Sequence, residues 1–452
     1  HGPLSGAAAQ GSWTMLATPD GAADASSRYP QLIVLEGTLA VTWYEESGQA
    51  SVVRVALFDD TQGAWLPAGT AAGETAAGAA VRRVRRANSE VQANGAVHAN
   101  GTVHANGAAR GLLTNSDAAL WSRLSPGDGG AYLSWHELDT GGRLRVRVAQ
   151  APGAPDRWDW RAVDGGGLRW DSGGEADYAS LAVLDGIVYA AWREVDAGRT
   201  AFRIRVAHRT TSGWGPVEHT SYNESVSDAA GASGLNVDLG RDAYYPKLAT
   251  HDGALWIAWY ERLVNSSAQR LHVARLDQQT QLWELRTPRT TGLHVADSAR
   301  IAGPQIVSVG DSLAALWVEE PLNAPGSLYV SFVSTDSGSP VASEAIGLRV
   351  ESGAEIGWAR AAAWSGTEPA PLLAVAWSET GDDTSAVHAA LLDPRVPDRT
   401  PQMLSPPTGL RARDGAIASY PHVVASPDGI VIAWEEFVQG RSHLAVARFD
   451  LL

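Results

Sequence analysis

The chain contains no cysteine. That excludes disulfides, thiolate metal ligands and a cysteine nucleophile. Lysine is nearly absent beside abundant arginine and alanine, a pattern that GC-rich genomes produce and that says little about function. No apolar run approaches the ~18 residues of a membrane-crossing helix. Basic residues are outnumbered by acidic ones, 35 to 50, for a net charge of −15. A general nucleic-acid binder, or a protein that docks on anionic lipid, needs the opposite balance. No H-x-x-x-H pair, nucleophile elbow or P-loop occurs. No leader is visible, and numbering from His1 is expected of a processed chain.

What is present points to an all-β fold. Of 452 residues, 44% are hydrophobic and 19% charged, with 47 glycines and 18 tryptophans. Many turns and many large flat side chains suit repeated hairpins. Length alone suggests about three domains, but an internal repeat overrides that prior. Seven short apolar segments each end in Trp-x-Glu: Leu39–Glu45, Ala131–Glu137, Val188–Glu194, Leu255–Glu261, Leu313–Glu319, Leu373–Glu379 and Ile430–Glu436. Except for the first gap, their spacing is 57 to 67 residues.

Each segment reads as a buried strand. A preceding strand joins it through a Gly- or Asp-containing hairpin, as in Tyr29-Pro-Gln-Leu, Tyr178-Ala-Ser-Leu, Tyr245-Pro-Lys-Leu and Tyr420-Pro-His-Val. A third strand of alternating character follows, and a fourth opens with Trp65, Trp158, Trp214 or Trp283. Each unit closes near a Gly-Leu pair, such as Gly167-Leu168, Gly234-Leu235, Gly292-Leu293 or Gly409-Leu410. Four strands repeated seven times predict one seven-bladed β-propeller over residues 1–452, with strands A to D running outward from the axis. The last repeat stops after its third strand, and the segment 12–17 is expected to supply the missing fourth strand and close the ring, leaving no long open edge.

The stretch Gly234-Leu-Asn-Val-Asp238, with Ala243-Tyr-Tyr-Pro-Lys-Leu-Ala249 and Ile257-Ala-Trp-Tyr-Glu261, resembles the repeats of large secreted or surface bacterial propellers, which are related to sialidase-like BNR propellers. The resemblance covers nearly the whole chain and implies a fold. The sialidase Asp-box turn survives only in decayed form, at Asp60–Trp65. Sialidases have six blades and an arginine triad with a Tyr/Glu pair, which this sequence does not let us assign, so the activity is not carried over.

The first gap is longer because of residues 81–110. Ala87–Arg110 is a four-fold hexapeptide repeat rich in Asn-Gly turns. It reads as an insertion tolerated on a loop, or as a protrusion that docks on a protein partner or another copy. The basic run Val81–Arg86 before it reads as a solvated loop, with a protease site or an anion patch as the alternatives. Sequons at Asn100, Asn223 and Asn265 are glycosylation candidates.

Two rows of carboxylates should share one mouth of the propeller. One is the Glu of each Trp-x-Glu; the other is Asp171, Asp238, Asp297, Glu351 and Asp414 in the D–A loops. They are candidates for Ca²⁺ or a hydroxyl-rich ligand. The blander reading has each Glu cap backbone N–H groups of its own blade, since a residue present in every blade is structural more often than catalytic. His1 invites a copper-brace reading, for which no second histidine is placed. His272, His388 and His443 fall at equivalent places near strand C and read as structural. Residues that break the repeat near the axis are the ligand-binding candidates: Arg28, Asp177, Tyr178, Asp242, Tyr244, Arg300, Trp358 and Tyr420. The expected function is extracellular or cell-surface recognition of a protein or a glycan, without catalysis. The alternative is a secreted carbohydrate-active enzyme with its carboxylates at the mouth.

Overall fold

The computed structural model describes residues 11–19, 25–47, 50–67, 120–127, 129–139, 142–155, 158, 160–169, 174–195, 201–217, 234–238, 240–263, 269–295, 299–321, 324–333, 345–350, 353–365, 371–381, 385–396, 400–426 and 429–451. The insert 81–110, the three sequons and His1 lie outside them.

Short apolar runs with glycine at their turns pair locally, so each repeat folds into a four-stranded antiparallel sheet. There are seven such sheets. Blade 1 is Ser26–Leu35, Thr38–Ser47, Ala50–Asp59 and Ala64–Pro67 for strands A to D. The A strands of blades 2 to 7 are Leu120–Gly127, Glu175–Leu184, Arg241–His251, Arg300–Val309, Glu355–Trp364 and Ile417–Ser426. Each packs on the A strand of the next blade around a complete circle. This is the expected seven-bladed β-propeller.

The repeated tryptophan explains why the blades stay together. Trp135 sits in a core with Ile33 and Leu35 of the blade before it, and Trp317, Trp377, Trp434 and Trp43 repeat that arrangement around the ring. Trp192, Trp259, Trp317, Trp377 and Trp434 are at most 1% exposed. Replacing one such ring by alanine costs about 3–5 kcal/mol.

Ring closure follows the expected scheme. Gly11–Met15 is strand D of blade 7 and pairs antiparallel with Arg441–Leu451, from Gly11 opposite Leu451 to Met15 opposite Ala447. Indoles then stitch neighbouring blades along their outer strands. Trp13, Trp65, Trp214 and Trp283 donate to the carbonyls of Leu404, Ala17, Val163 and Val217 of the preceding blade, at 2.6 to 2.9 Å.

Three local expectations shift. In blade 2 the outer strand is Arg161–Ala162, so Trp160 holds the position expected of Trp158. Trp158 turns inward and donates to Gly153 O at 3.3 Å. In the C–D turn of blade 1 the capping carboxylate is Asp59, which accepts from the Thr61 and Gln62 N–H groups, rather than Asp60. His272 and His388 lie opposite Trp259 and Trp377, but His443 lies opposite Glu436, two residues away from that register, and is half-buried.

Candidate functional site

The Glu of Trp-x-Glu proves to be a cap. Glu261 Oε1 accepts Trp259 Nε1–H at 3.0 Å and Val237 N–H at 2.5 Å, and Oε2 accepts Asp238 N–H at 3.1 Å. Glu319, Glu379 and Glu436 accept from the indole two residues before them and from Val295, Val350 and Ala412 N–H respectively. These donors belong to the segments that enter strand A, so each carboxylate fixes the crossing from one blade to the next. In blades 1 and 2 an arginine takes part of that role: Arg54 pairs with Glu45, and Arg147 with Glu137. Burial pushes the Glu261 carboxyl up to about 7, against the N–H donors that pull it down.

Strand A carries a register shift in every blade, at one place in six of them and one residue earlier in blade 6. The shift holds Tyr29, Tyr178, Tyr245 and Tyr420 at φ of 51 to 52°, and Gly303 at 54°. Non-glycine residues adopt this region at a cost, so their neighbours must hold them there. The middle residue of Trp-x-Glu supplies part of that hold. His136 Nε2 accepts Tyr178 N–H at 2.8 Å, and Glu435 Oε2 accepts Tyr29 N–H at 3.4 Å. Ser378 accepts Trp358 N–H at 3.1 Å within its own blade, where the backbone is not in the left-handed region.

One step further along strand A lie Gln31, Arg123, Ser180, Lys247, Gln305, Arg360 and His422, each opposite the residue before the blade's tryptophan. Ser180 and His422 bond the next blade's backbone, at Leu248 N–H (3.0 Å) and Leu32 N–H (3.1 Å). Gln31, Arg123 and Arg360 line a cavity at the axis, and Gln305 Nε2–H turns back to Pro304 O at 2.9 Å. Gly303 leaves the flank of Arg360 bare: a Cβ there would lie 3.7 Å from the Trp358 ring and 4.0 Å from Arg360 Nη1.

The candidate residues fall into two groups. On blades 3 and 4 the polar groups satisfy one another. Asp177 forms a two-pronged pair with Arg193. The Arg193 guanidinium lies 4.2 Å from the Phe202 ring, 4.7 Å from Tyr178 and 5.2 Å from Tyr244. Asp242 accepts Phe202 N–H at 3.0 Å and Tyr244 OH at 3.3 Å, and Tyr244 OH accepts Arg262 Nη2–H at 2.9 Å. This is a closed network with its aromatic faces already covered.

Blades 6, 7 and 1 form the second group. The Tyr29 ring lies 4.2 Å from Tyr420 and stacks on Tyr44 at 5.4 Å, and Trp358 lies 5.3 Å from Tyr420. Arg28 pairs with Glu46 at 3.3 Å, both more than a third exposed. Beneath them Glu435 is 5% exposed and accepts Ser442 Oγ–H at 2.6 Å. Burial pushes the Glu435 carboxyl up, and the nearby Glu46 charge adds to the shift, while Ser442 and Arg28 oppose it. Two carboxyl groups thus share one mouth in unlike settings.

Arg300 joins neither group: it is 63% exposed and faces Glu320 at 3.7 Å. Among the D–A acids, Asp238 is held by Gly240 N–H and Arg241, and Asp414 is exposed. Asp171, Asp297 and Glu351 lie outside the described residues. Among the described residues no group of three or more His, Asp or Glu side chains is placed to hold a metal. Glu435, Tyr44 and Arg193 were missed from sequence. All three are the middle residue of Trp-x-Glu, the one position of that motif that changes from blade to blade, and that variation was the available signal.

No protein-family model matches the chain, and no curated protein matches it significantly. Solved structures do resemble it. An α-L-arabinanase from Penicillium chrysogenum is 12% identical over 74% of this chain and 93% of its own, with a TM-score of 0.45. An α-L-arabinofuranosidase from Fusarium graminearum is 13% identical over 73% and 93%, also with a TM-score of 0.45. The Trypanosoma rangeli sialidase is 10% identical over 94% of this chain, which spans about half (54%) of the sialidase, with a TM-score of 0.42.

Proposed function

We propose that the chain acts on carbohydrate at the mouth between blades 7 and 1, with Glu435 as proton donor and Glu46 as the partner carboxylate in cleavage of a glycosidic bond. The supporting observation is the unlike environment of the two. Burial favours the protonated form of Glu435, which suits a general acid, while Glu46 lies beside Arg28 at the surface. Glycoside hydrolysis needs one carboxyl group to protonate the leaving oxygen and a second to stabilise the ring cation or activate water. Tyr29, Tyr420 and Trp358 supply faces on which sugar rings stack. An extracellular or cell-surface setting suits a polymeric substrate.

The second reading is glycan recognition without turnover. It is favoured by the narrowness of the axis: the cavity among Tyr29, Trp358 and Tyr420 leaves about 10 Å³ for the centre of a water-sized body. A ligand would lie across the mouth rather than enter it. The test is release of reducing ends from a panel of plant and bacterial polysaccharides and aryl glycosides, with saturation-transfer NMR for binding. Turnover lost in Glu435→Gln supports the enzyme; binding without turnover supports recognition; neither would remove carbohydrate from the account. Ca²⁺ belongs to this proposal only as an addition to the assay, and protein contact through residues 87–110 is tested by the chain's behaviour with that segment deleted.

A further inference from the structure

Lys247 is the sole lysine of the chain, and it is buried at the axis. Arg123 of blade 2, Lys247 of blade 4 and Arg360 of blade 6 hold the same register position on alternate blades. Alternate blades do not pack on one another, so these side chains meet only in the central channel, where each lies within reach of the others' charge. Lys247 and Arg360 are buried, and Arg123, though enclosed by protein, keeps part of its surface open to the channel.

Among the described residues no carboxylate acts on any of the three; the acidic groups near Arg123 and Arg360 are phenols, Tyr245 and, lining the same cavity, Tyr29 and Tyr420. His422 and His136 are also near, and both are held neutral by burial and by these same cations. His422 Nδ1 accepts Leu32 N–H, so its proton sits on Nε2, which is free to donate. Enclosure disfavours each positive charge, drawing Arg123 down to about 10 and Arg360 to about 9. Buried charges require a partner of opposite sign. A protein of net charge −15 has placed three cations together with no acid beside them.

We infer that the axial channel binds one small monatomic anion, a halide, held by Arg123 and Arg360 and attracted by Lys247 across the axis. The cavity that Arg123, Arg360, Gln31, Tyr29, Trp358 and Tyr420 line leaves about 10 Å³ for the centre of a water-sized body, so a polyatomic ion is excluded and a halide, somewhat larger than water, enters as the arginine side chains draw back; Lys247 is not part of this lining and acts through its charge. This is the cavity whose aromatic residues the proposed function uses, but the anion involves neither Glu435 nor Glu46, so the inference stands whether or not the mouth acts on carbohydrate.

Two measurements test it. Crystals soaked in bromide should show one anomalous peak on the axis, within about 3.5 Å of the Arg123 and Arg360 nitrogens. In solution, protein labelled with ¹³Cε-lysine gives one lysine resonance. That resonance should shift saturably with chloride at constant pH and ionic strength, and not with methanesulfonate. Arg360→Gln should weaken the response at least tenfold. If that variant does not fold, Lys247→Met should lose the halide-specific rise in melting temperature. Absence of the peak together with a resonance blind to anion identity would overturn the proposal and leave a neutral lysine beside water. A response to phosphate but not to chloride would overturn the assigned size.

Discussion

Trp65 donates its indole N–H to the carbonyl of Ala17 at 2.6 Å, so the first blade holds the segment that completes the last. Closure therefore rests on the ladder from Gly11–Met15 to Arg441–Leu451, on this bond, and on the bonds that Tyr29 and Leu32 N–H make to Glu435 and His422 of the last blade. Trp65→Phe should cost about 1 kcal/mol, the usual net value of one hydrogen bond. Deleting residues 1–17 should cost far more, because it leaves the last C strand as an open edge. Chemical denaturation and light scattering check both: the first variant should keep the molar mass of the unmodified protein, and the second should associate beyond it.

Glu319 accepts the buried Trp317 Nε1–H and the N–H of Val295, a residue 50% exposed. Glu319→Ala orphans the indole and leaves the Val295 N–H to water, so the loss should be about 1–3 kcal/mol. A urea midpoint unchanged from wild type would contradict the cap.

The Glu261 carboxyl also sets a pH dependence. Its folded value of about 7 lies above the ~4.3 of an unfolded glutamate. Between the two the folded state holds a proton that the unfolded state has lost, so stability from this group is full at low pH and falls as pH rises toward 7. Relative to wild type, Glu261→Gln should show a flatter decline in stability between about pH 4.5 and 7. Denaturation midpoints across that range measure the difference.

Gly292 follows strand D at φ +62°, where a Cβ would lie 2.5 Å from Leu271 O. The backbone cannot give way there, because Leu293 N–H bonds that same carbonyl at 2.7 Å. Gly292→Ala should cost more than 1 kcal/mol, through positive φ and this clash. Calorimetry of the single variant decides it.

The blades were legible because their signal is repeated. Seven tryptophans filling seven gaps need one residue type at one register, and the closing strand followed from a count of strands. The mouth was legible only in part. Arg28 and Trp358 could be found as departures from the repeat near strand A, and Tyr420 as one of its recurring tyrosines, but their link to Glu435 depends on which blade follows which in space. Arg123, Lys247 and Arg360 are more than 100 residues apart in sequence, and only ring closure brings them to one axis. The shift from Trp158 to Trp160 was illegible for a local reason: both indoles are buried, and only the strand register separates them.

Asp177 and Arg193 provide a control for the mouth. Removing the arginine alone leaves a buried carboxylate without its partner, which typically costs about 3–5 kcal/mol. Arg193→Leu should be strongly destabilising, and Asp177→Asn combined with it should recover part of the loss. A double-mutant cycle gives the coupling. Carbohydrate turnover should not depend on this pair once folding is restored.

Residues present in every blade hold the ring, and under the proposed function the middle residue of one Trp-x-Glu, Glu435, supplies the proton. Glu435 and Glu436 are adjacent and separate the two roles. The most direct measurement compares Glu435→Gln with Glu436→Gln in melting temperature and in release of reducing ends from a cleaved glycan. The account predicts that Glu436→Gln melts several degrees lower and keeps its turnover per folded molecule. Glu435→Gln should melt near wild type and lose turnover at least 100-fold, the usual scale of a general acid. Equal turnover in Glu435→Gln and wild type would contradict it.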